Sequence, residues 1–175
     1  MAIKTIFLDR DGVINHEVNY LHKVSEFRFI DGIFNSCKYF KDLGYQIIIV
    51  SNQSGIGRGY YSENEYQYLT DWLLDQFQQK DINILDVFHC PHNPNENCNC
   101  RKPKPGMFME AKKTYDVDMK KSWMIGDKET DIQAAIASGI TNTILVKSGH
   151  PIDKKSSVAL FFINSIKNAS QVIKK

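Results

Sequence analysis

The sequence predicts an α/β fold in which a parallel sheet is flanked by helices. Two observations carry this reading. Short apolar, β-branched runs alternate along the chain with stretches of helical period, and the polar residues best suited to chemistry stand directly after those runs. Such alternation implies parallel pairing through right-handed crossovers, and in open α/β sheets ligands bind beyond the carboxyl ends of the strands.

The expected strands are residues 3–8, 45–50, 84–89, 122–125 and 143–146, read from their short apolar runs. Between the first two lies a helix at 34–43, stopped by Gly44. The clearest helix covers about 62–80: Ser62 and Glu65 form a capping box, and Tyr66, Leu69, Leu73 and Phe77 share one face. A helix at 107–115 opens after Pro105 and Gly106, another at 129–138 stops at Gly139, and a last one is expected near 164–173. Two segments, 12–30 and 91–105, interrupt the alternation at the carboxyl ends of the first and third strands, and are the natural walls of a binding site.

At 175 residues, 42% hydrophobic and 24% charged, the chain is expected to form one domain over residues 1–175 with a substantial core. Its 22 basic and 20 acidic residues are interspersed, leaving a net charge of +2, so no basic stripe marks a nucleic-acid or membrane surface. No apolar run near Met1 suits a signal core or a membrane span, which points to the cytoplasm.

The first strand runs into Asp9-Arg10-Asp11-Gly12, where two acids two residues apart can reach one site; a surface turn is the plain alternative. The second ends in Ser51-Asn52-Gln53-Ser54-Gly55, which offers a hydroxyl and backbone N–H groups of the kind a phosphate cradle needs. Arg101, Lys102 and Lys104 bring cations to the mouth of the 107–115 helix. After the fourth strand, Asp127 could complete a carboxylate cluster for Mg²⁺, and Lys128 follows it. Two acids, a hydroxyl, cations and a further acid form an inventory matched to phosphoryl transfer, where positioning and charge neutralisation dominate.

In order and spacing, Asp9-x-Asp11-Gly12, Ser51-Asn52, the Lys102 segment and Gly126-Asp127-Lys128-x-x-Asp131 resemble the four motifs of haloacid-dehalogenase-type phosphatases. The resemblance implies a Rossmann-like sheet without a large cap domain. It further implies Asp9 as nucleophile, Asp11 as proton donor and acceptor, and Ser51 and Lys102 as supports for the transferring phosphoryl group. Mg²⁺ would be held by Asp9, the Asp11 carbonyl and Asp127. Asp11 favours phosphate-ester hydrolysis, since a dehalogenase lacks the second acid.

Cys90-Pro91-His92 and Cys98-Asn99-Cys100 gather three thiols and an imidazole, a closed four-ligand set suited to structural Zn²⁺; free thiols are the alternative. Folding this loop around zinc would fix where Arg101 and Lys102 point. Cys37, alone on an apolar helix face, and the histidines His16 and His22 are assigned no role. With its following Arg101-Lys102-Pro103, the loop is similar to a narrower branch that holds heptose bisphosphate phosphatases and histidinol-phosphate phosphatases. Phe29-Ile30-Asp31-Gly32 and 52–59 look like the heptose type, whereas the spacing from His92 to Cys98 is like the histidinol-phosphate type.

This resemblance implies that Glu17, Val18, Asn19, Tyr20, Ser51, Asn52, Gln53 and Ser54 line a small phosphorylated sugar, that Arg101 recognises it and that Lys102 and Lys128 contact its phosphate. The expected reaction is removal of the 7-phosphate of a heptose 1,7-bisphosphate. Its rivals are hydrolysis of histidinol phosphate and a zinc-stabilised phosphate-binding module without turnover. With both inserts too short to need a partner for folding, a monomer is expected.

Overall fold

The computed structural model describes residues 2–174. Six strands, β1 (Thr5–Leu8), β2 (Gln46–Asn52), β3 (Asp86–Cys90), β4 (Trp123–Gly126), β5 (Asn142–Val146) and β6 (Phe161–Ile163), form one sheet in the order β3-β2-β1-β4-β5-β6. Every neighbouring pair is parallel, so all six carboxyl ends lie along one edge of the sheet.

The central strands β1, β2, β4 and β5 are buried on both faces, and side chains alternate between two apolar layers. Ile6, Leu8, Ile47 and Ile49 pack in one layer with Ile33, Cys37 and Phe40 of α1 (Ile33–Asp42) and Leu69, Leu73 and Phe77 of α3 (Glu63–Gln78). Phe7, Ile48, Val50 and Met124 pack in the other with Met107, Phe108 and Ala111 of α4 (Gly106–Tyr115) and Ala134 and Ala135 of α5 (Glu129–Ala137). The two-residue period of a strand produces this split. At the start of α3 the Ser62 hydroxyl accepts from the Glu65 N–H at 3.2 Å and Glu65 accepts from the Ser62 N–H at 2.8 Å, the capping box expected.

Three expectations need correction. Residues 164–173 form not an α-helix but a 3₁₀ turn, Ile166–Gln171, because the buried Ile166 and Ala169 stand three apart, the period of that tighter helix. A sixth strand, β6, was not expected; three residues at a sheet edge give too short a pattern to read. A short helix, α2 (Ser54–Gly57), also follows β2 where no helix was expected. Strand β3 starts at Asp86 rather than 84, and β1 at Thr5, with Ile3 making only an isolated bridge to Val117.

From β1 the chain passes to β2 on one side, and from β4 to β5 on the other. β1 and β4 are therefore adjacent strands whose continuations diverge, and the crevice beyond their carboxyl ends is the switch point where α/β sheets bind ligands.

Candidate active site

At that switch point three carboxylates converge. Asp9 leaves β1, Asp127 leaves β4, Asp131 sits in the first turn of α5, and one oxygen of each lies within 4.8 Å of the others. All three are buried, and so is Lys102. The Lys102 ammonium donates to Asp9 Oδ1 at 3.0 Å and to the Val50 carbonyl at 2.8 Å, and it meets Asp131 Oδ1 at 2.6 Å. The other Asp131 oxygen accepts from the N–H groups of Asp127 and Lys128 at 3.2 and 3.0 Å, which ties the start of α5 to the end of β4.

One ammonium does not balance three buried carboxylates. Burial, followed by repulsion from Asp131, raises the Asp9 carboxyl well above its ordinary value, although Lys102 works in the opposite direction. The same two causes push Asp127 up to about 7. Burial pulls the Lys102 ammonium down, but Asp131 and Asp9 outweigh it and leave it raised. Asp127 Oδ1 is buried with no hydrogen-bond partner, the disposition of an oxygen left free for a cation. Three hard oxygen donors gathered in this way fit Mg²⁺.

Asp11, two residues on, has a different setting. It is only partly buried, and three side chains hold its carboxylate: Arg10 at 3.1 and 3.2 Å, Asn15 at 2.9 Å and Gln53 at 3.1 Å. Gln53 is itself buried; its amide donates to the Ser51 hydroxyl at 2.7 Å, and its carbonyl accepts from Tyr61 at 2.6 Å and Arg10 at 3.3 Å. Sequence reasoning missed Arg10, Asn15 and Tyr61, because side chains that hold a carboxylate from behind carry no motif of their own.

A cavity of about 380 Å³ opens over these groups, and Asp9, Asp11, Glu17, Val18, Asn19, Tyr20, Asn52, Gln53, Ser54, Arg101, Lys102 and Lys128 all line it, as do Arg58 and Asp131. Of the residues expected at the site, Ser51 lies behind this wall, 1% exposed, and Asp127 borders a neighbouring hollow with His150. At the rim the ring of Tyr20 meets Tyr60 edge-on, with centroids 4.6 Å apart. Burial, then the nearby Asp11, raises the Glu17 carboxyl. Asn52 does more than line the cavity: its side chain accepts from the Lys102 N–H at 3.0 Å and donates to the Lys102 carbonyl at 3.1 Å, pinning that backbone to the end of β2.

Cys90, His92, Cys98 and Cys100 come together at the end of β3, with all four donor atoms within 4.8 Å of one another. Cys90 Sγ lies 3.0 Å from Cys100 Sγ and 3.7 Å from Cys98 Sγ, and His92 Nδ1 is 3.2 Å from Cys100 Sγ and 3.4 Å from Cys90 Sγ; all the thiols are free. Around a zinc–sulfur distance of about 2.3 Å, tetrahedral ligands sit about 3.8 Å apart, so the cluster matches a closed soft-metal site drawn slightly inward. Burial pushes the Cys98 thiol up, but the Arg101 N–H and the neighbouring thiols outweigh it and hold it low, whereas burial raises the thiols of Cys90 and Cys100.

The fold and the acid cluster define a haloacid-dehalogenase-like hydrolase, and a HAD-hydrolase-like family model matches residues 99–159. The chain is 49% identical to the D-glycero-alpha-D-manno-heptose-1,7-bisphosphate 7-phosphatase of Photorhabdus laumondii, covering 93% of this chain and 92% of that protein. It is 38% identical to the D-glycero-beta-D-manno-heptose-1,7-bisphosphate 7-phosphatase of Escherichia coli strain CFT073, over 99% of this chain and 96% of the other. Among solved structures, the D,D-heptose 1,7-bisphosphate phosphatase of B. bronchiseptica, complexed with magnesium and phosphate, superposes with a TM-score of 0.83 at 26% identity, covering 97% of each chain. The chain belongs to the heptose-1,7-bisphosphate 7-phosphatase family of haloacid-dehalogenase-like hydrolases.

The coupling of Lys102 to the acids is measurable in metal-free protein. Lys102→Met should cost about 3–5 kcal/mol of stability in urea unfolding, because it strands buried carboxylates. Adding Asp131→Asn should restore part of that loss, with a coupling on the order of 1–3 kcal/mol. Strictly additive losses would show that the two charges do not sense each other.

Proposed function

We propose that the protein is a magnesium-dependent phosphatase that removes the 7-phosphate of D-glycero-D-manno-heptose 1,7-bisphosphate through an aspartyl-phosphate on Asp9, in nucleotide-activated heptose biosynthesis. The observation that carries this reading is the pair of acids in opposite settings after β1. Asp9 is buried against Lys102, whereas Asp11 is held at the cavity wall by Arg10, Asn15 and Gln53. Environments that differ this much let two carboxylates take two roles. A module that only bound phosphate would need neither.

In the first half-reaction an Asp9 oxygen bonds to phosphorus while the bond from phosphorus to the sugar oxygen breaks, and Asp11 gives that leaving oxygen its proton. In the second, water attacks the phosphorus, Asp11 takes its proton, and the bond to Asp9 breaks, releasing inorganic phosphate. Lys102 steadies charge on the phosphoryl group, with Ser51 supporting from behind through Gln53. Asp9, the Asp11 carbonyl and Asp127 would hold Mg²⁺, which when bound neutralises phosphate charge. Arg101, Lys128 and residues 17–20 and 52–54 face the rest of the substrate, where the phosphate that is not cleaved needs cationic and polar partners.

Zn²⁺ in the Cys90, His92, Cys98 and Cys100 cluster would stiffen the loop that carries Arg101 and Lys102. The working form is a cytoplasmic monomer of one domain; among the described residues no helix is long and apolar enough to cross a membrane. The relatives named above favour the heptose bisphosphate over histidinol phosphate. Higher identity to the alpha-named relative, 49% against 38%, favours the α-anomer.

Assaying the α- and β-anomers of the bisphosphate beside histidinol phosphate should show preferred hydrolysis of the α-anomer and release of the 7-phosphate alone. Histidinol phosphate hydrolysed as fast as either anomer would overturn the substrate assignment, and a β preference would overturn the anomer. For the loop, Cys98→Ser should lower zinc content and cut the rate on the order of a hundredfold, as misplacement of a positioning group by about 1 Å does. Zinc-free wild-type protein of full activity would contradict that.

A further inference from the structure

Beyond the end of β5, Ser148, Gly149 and His150 run across the two central strand ends. The Ser148 hydroxyl donates to the Gly12 carbonyl at 2.6 Å, joining this segment to the turn that follows Asp9 and Asp11. Gly12, at φ +86°, and Gly149 bring their backbones so close to the Asp127 carboxylate that a Cβ on either would overlap it. His150 Nδ1 then lies 2.5 Å from Asp127 Oδ2. When Asp127 is ionised, as a cation ligand must be, its Oδ2 accepts and Nδ1 carries the hydrogen.

We infer that the Ser148–His150 segment is a positioning clamp for Asp127, in which the His150 N–H engages Oδ2 and turns the buried, unpartnered Oδ1 toward the cation site. Asp127 is walled in by two glycine backbones and its side chain is fully buried, while the His150 side chain is 36% exposed. The histidine is therefore the one group in this contact that a local movement can release. Partners that orient a metal-ligating carboxylate from behind typically contribute a 10–100-fold factor in metal affinity. His150 acts here through Asp127, and the Glu17 carboxylate that lines the cavity stands within 4.8 Å of both. The clamp rests on the reading of Asp127 as a Mg²⁺ ligand, so the experiment separates the two.

Mg²⁺ alone is titrated calorimetrically into wild type, His150→Ala, His150→Asn and Asp127→Asn, each with its zinc loop intact and its melting curve recorded. His150→Ala should weaken Mg²⁺ binding about 10–100-fold, while the Michaelis constant for substrate at saturating Mg²⁺ stays unchanged. His150→Asn, whose amide N–H can replace Nδ1, should recover most of the affinity. Wild-type Mg²⁺ affinity in His150→Ala would overturn the clamp, as would loss in His150→Asn equal to that in His150→Ala, which would mark the imidazole as a direct ligand. Asp127→Asn should bind Mg²⁺ least of all; if it binds like wild type, the metal-site reading fails instead. Should His150→Ala not fold, His150→Asn alone decides between retained and lost affinity.

Discussion

Lys102 sits where three strand ends meet, with its ammonium shared among Asp9, Asp131 and the Val50 carbonyl at 3.0 Å or less. Around this ammonium the rest of the site is arranged. Asp9 and Asp131 would repel each other in a buried crevice without it, and Asp131 in turn holds the N–H groups of Asp127 and Lys128. A buried charge pair is weak evidence of stability for its own sake, because desolvation consumes much of the Coulomb gain. Its value here is positional: it gathers carboxylates that a water-filled cleft would let drift apart.

Lys102 is not on a strand, so something must carry it there. Asn52 at the end of β2 grips its backbone on both the N–H and the carbonyl side. The loop bearing the thiol and imidazole cluster delivers the chain from the end of β3, and Gly106 starts α4 just beyond it. The parallel sheet thus supplies two acids directly, from β1 and β4, and supplies the cation through β2 and β3. The end of β5 adds the Ser148–His150 segment against Asp127. Five of the six carboxyl ends contribute to one crevice, as expected when the edge of an open sheet collects loops from every strand.

Much of this was legible in the chain, because strand ends announce themselves. Short continuous apolar runs, followed at once by Asp, Ser, Asn or Gly, located Asp9, Ser51 and Asp127 without any knowledge of the packing. The capping box at Ser62 and Glu65 was equally plain, since it is a local event. What escaped was non-local. Gln53 reaches Asp11 and Arg10 only because the chain folds back, and no spacing records that. His150 could have been found by asking of β5 what was asked of the other strands, for Ser148-Gly149-His150 stands two residues past its end. The edge strand β6 and the 3₁₀ turn after it depend on tertiary support more than on pattern, and the three residues of β6 leave too few positions for a period to show.

The central claim is that Asp9 is the atom donor in a covalent step and not merely one ligand of a metal. Mixing wild-type protein with excess heptose bisphosphate, quenching in acid within the first turnover and weighing its peptides tests this most directly, because the phosphoryl-enzyme must form before water releases phosphate. The account predicts an added phosphoryl group on the peptide that carries Asp9, and none when Asp9 is changed to Asn. Sugar product released in the first turnover with no phosphoryl group on that peptide would contradict it.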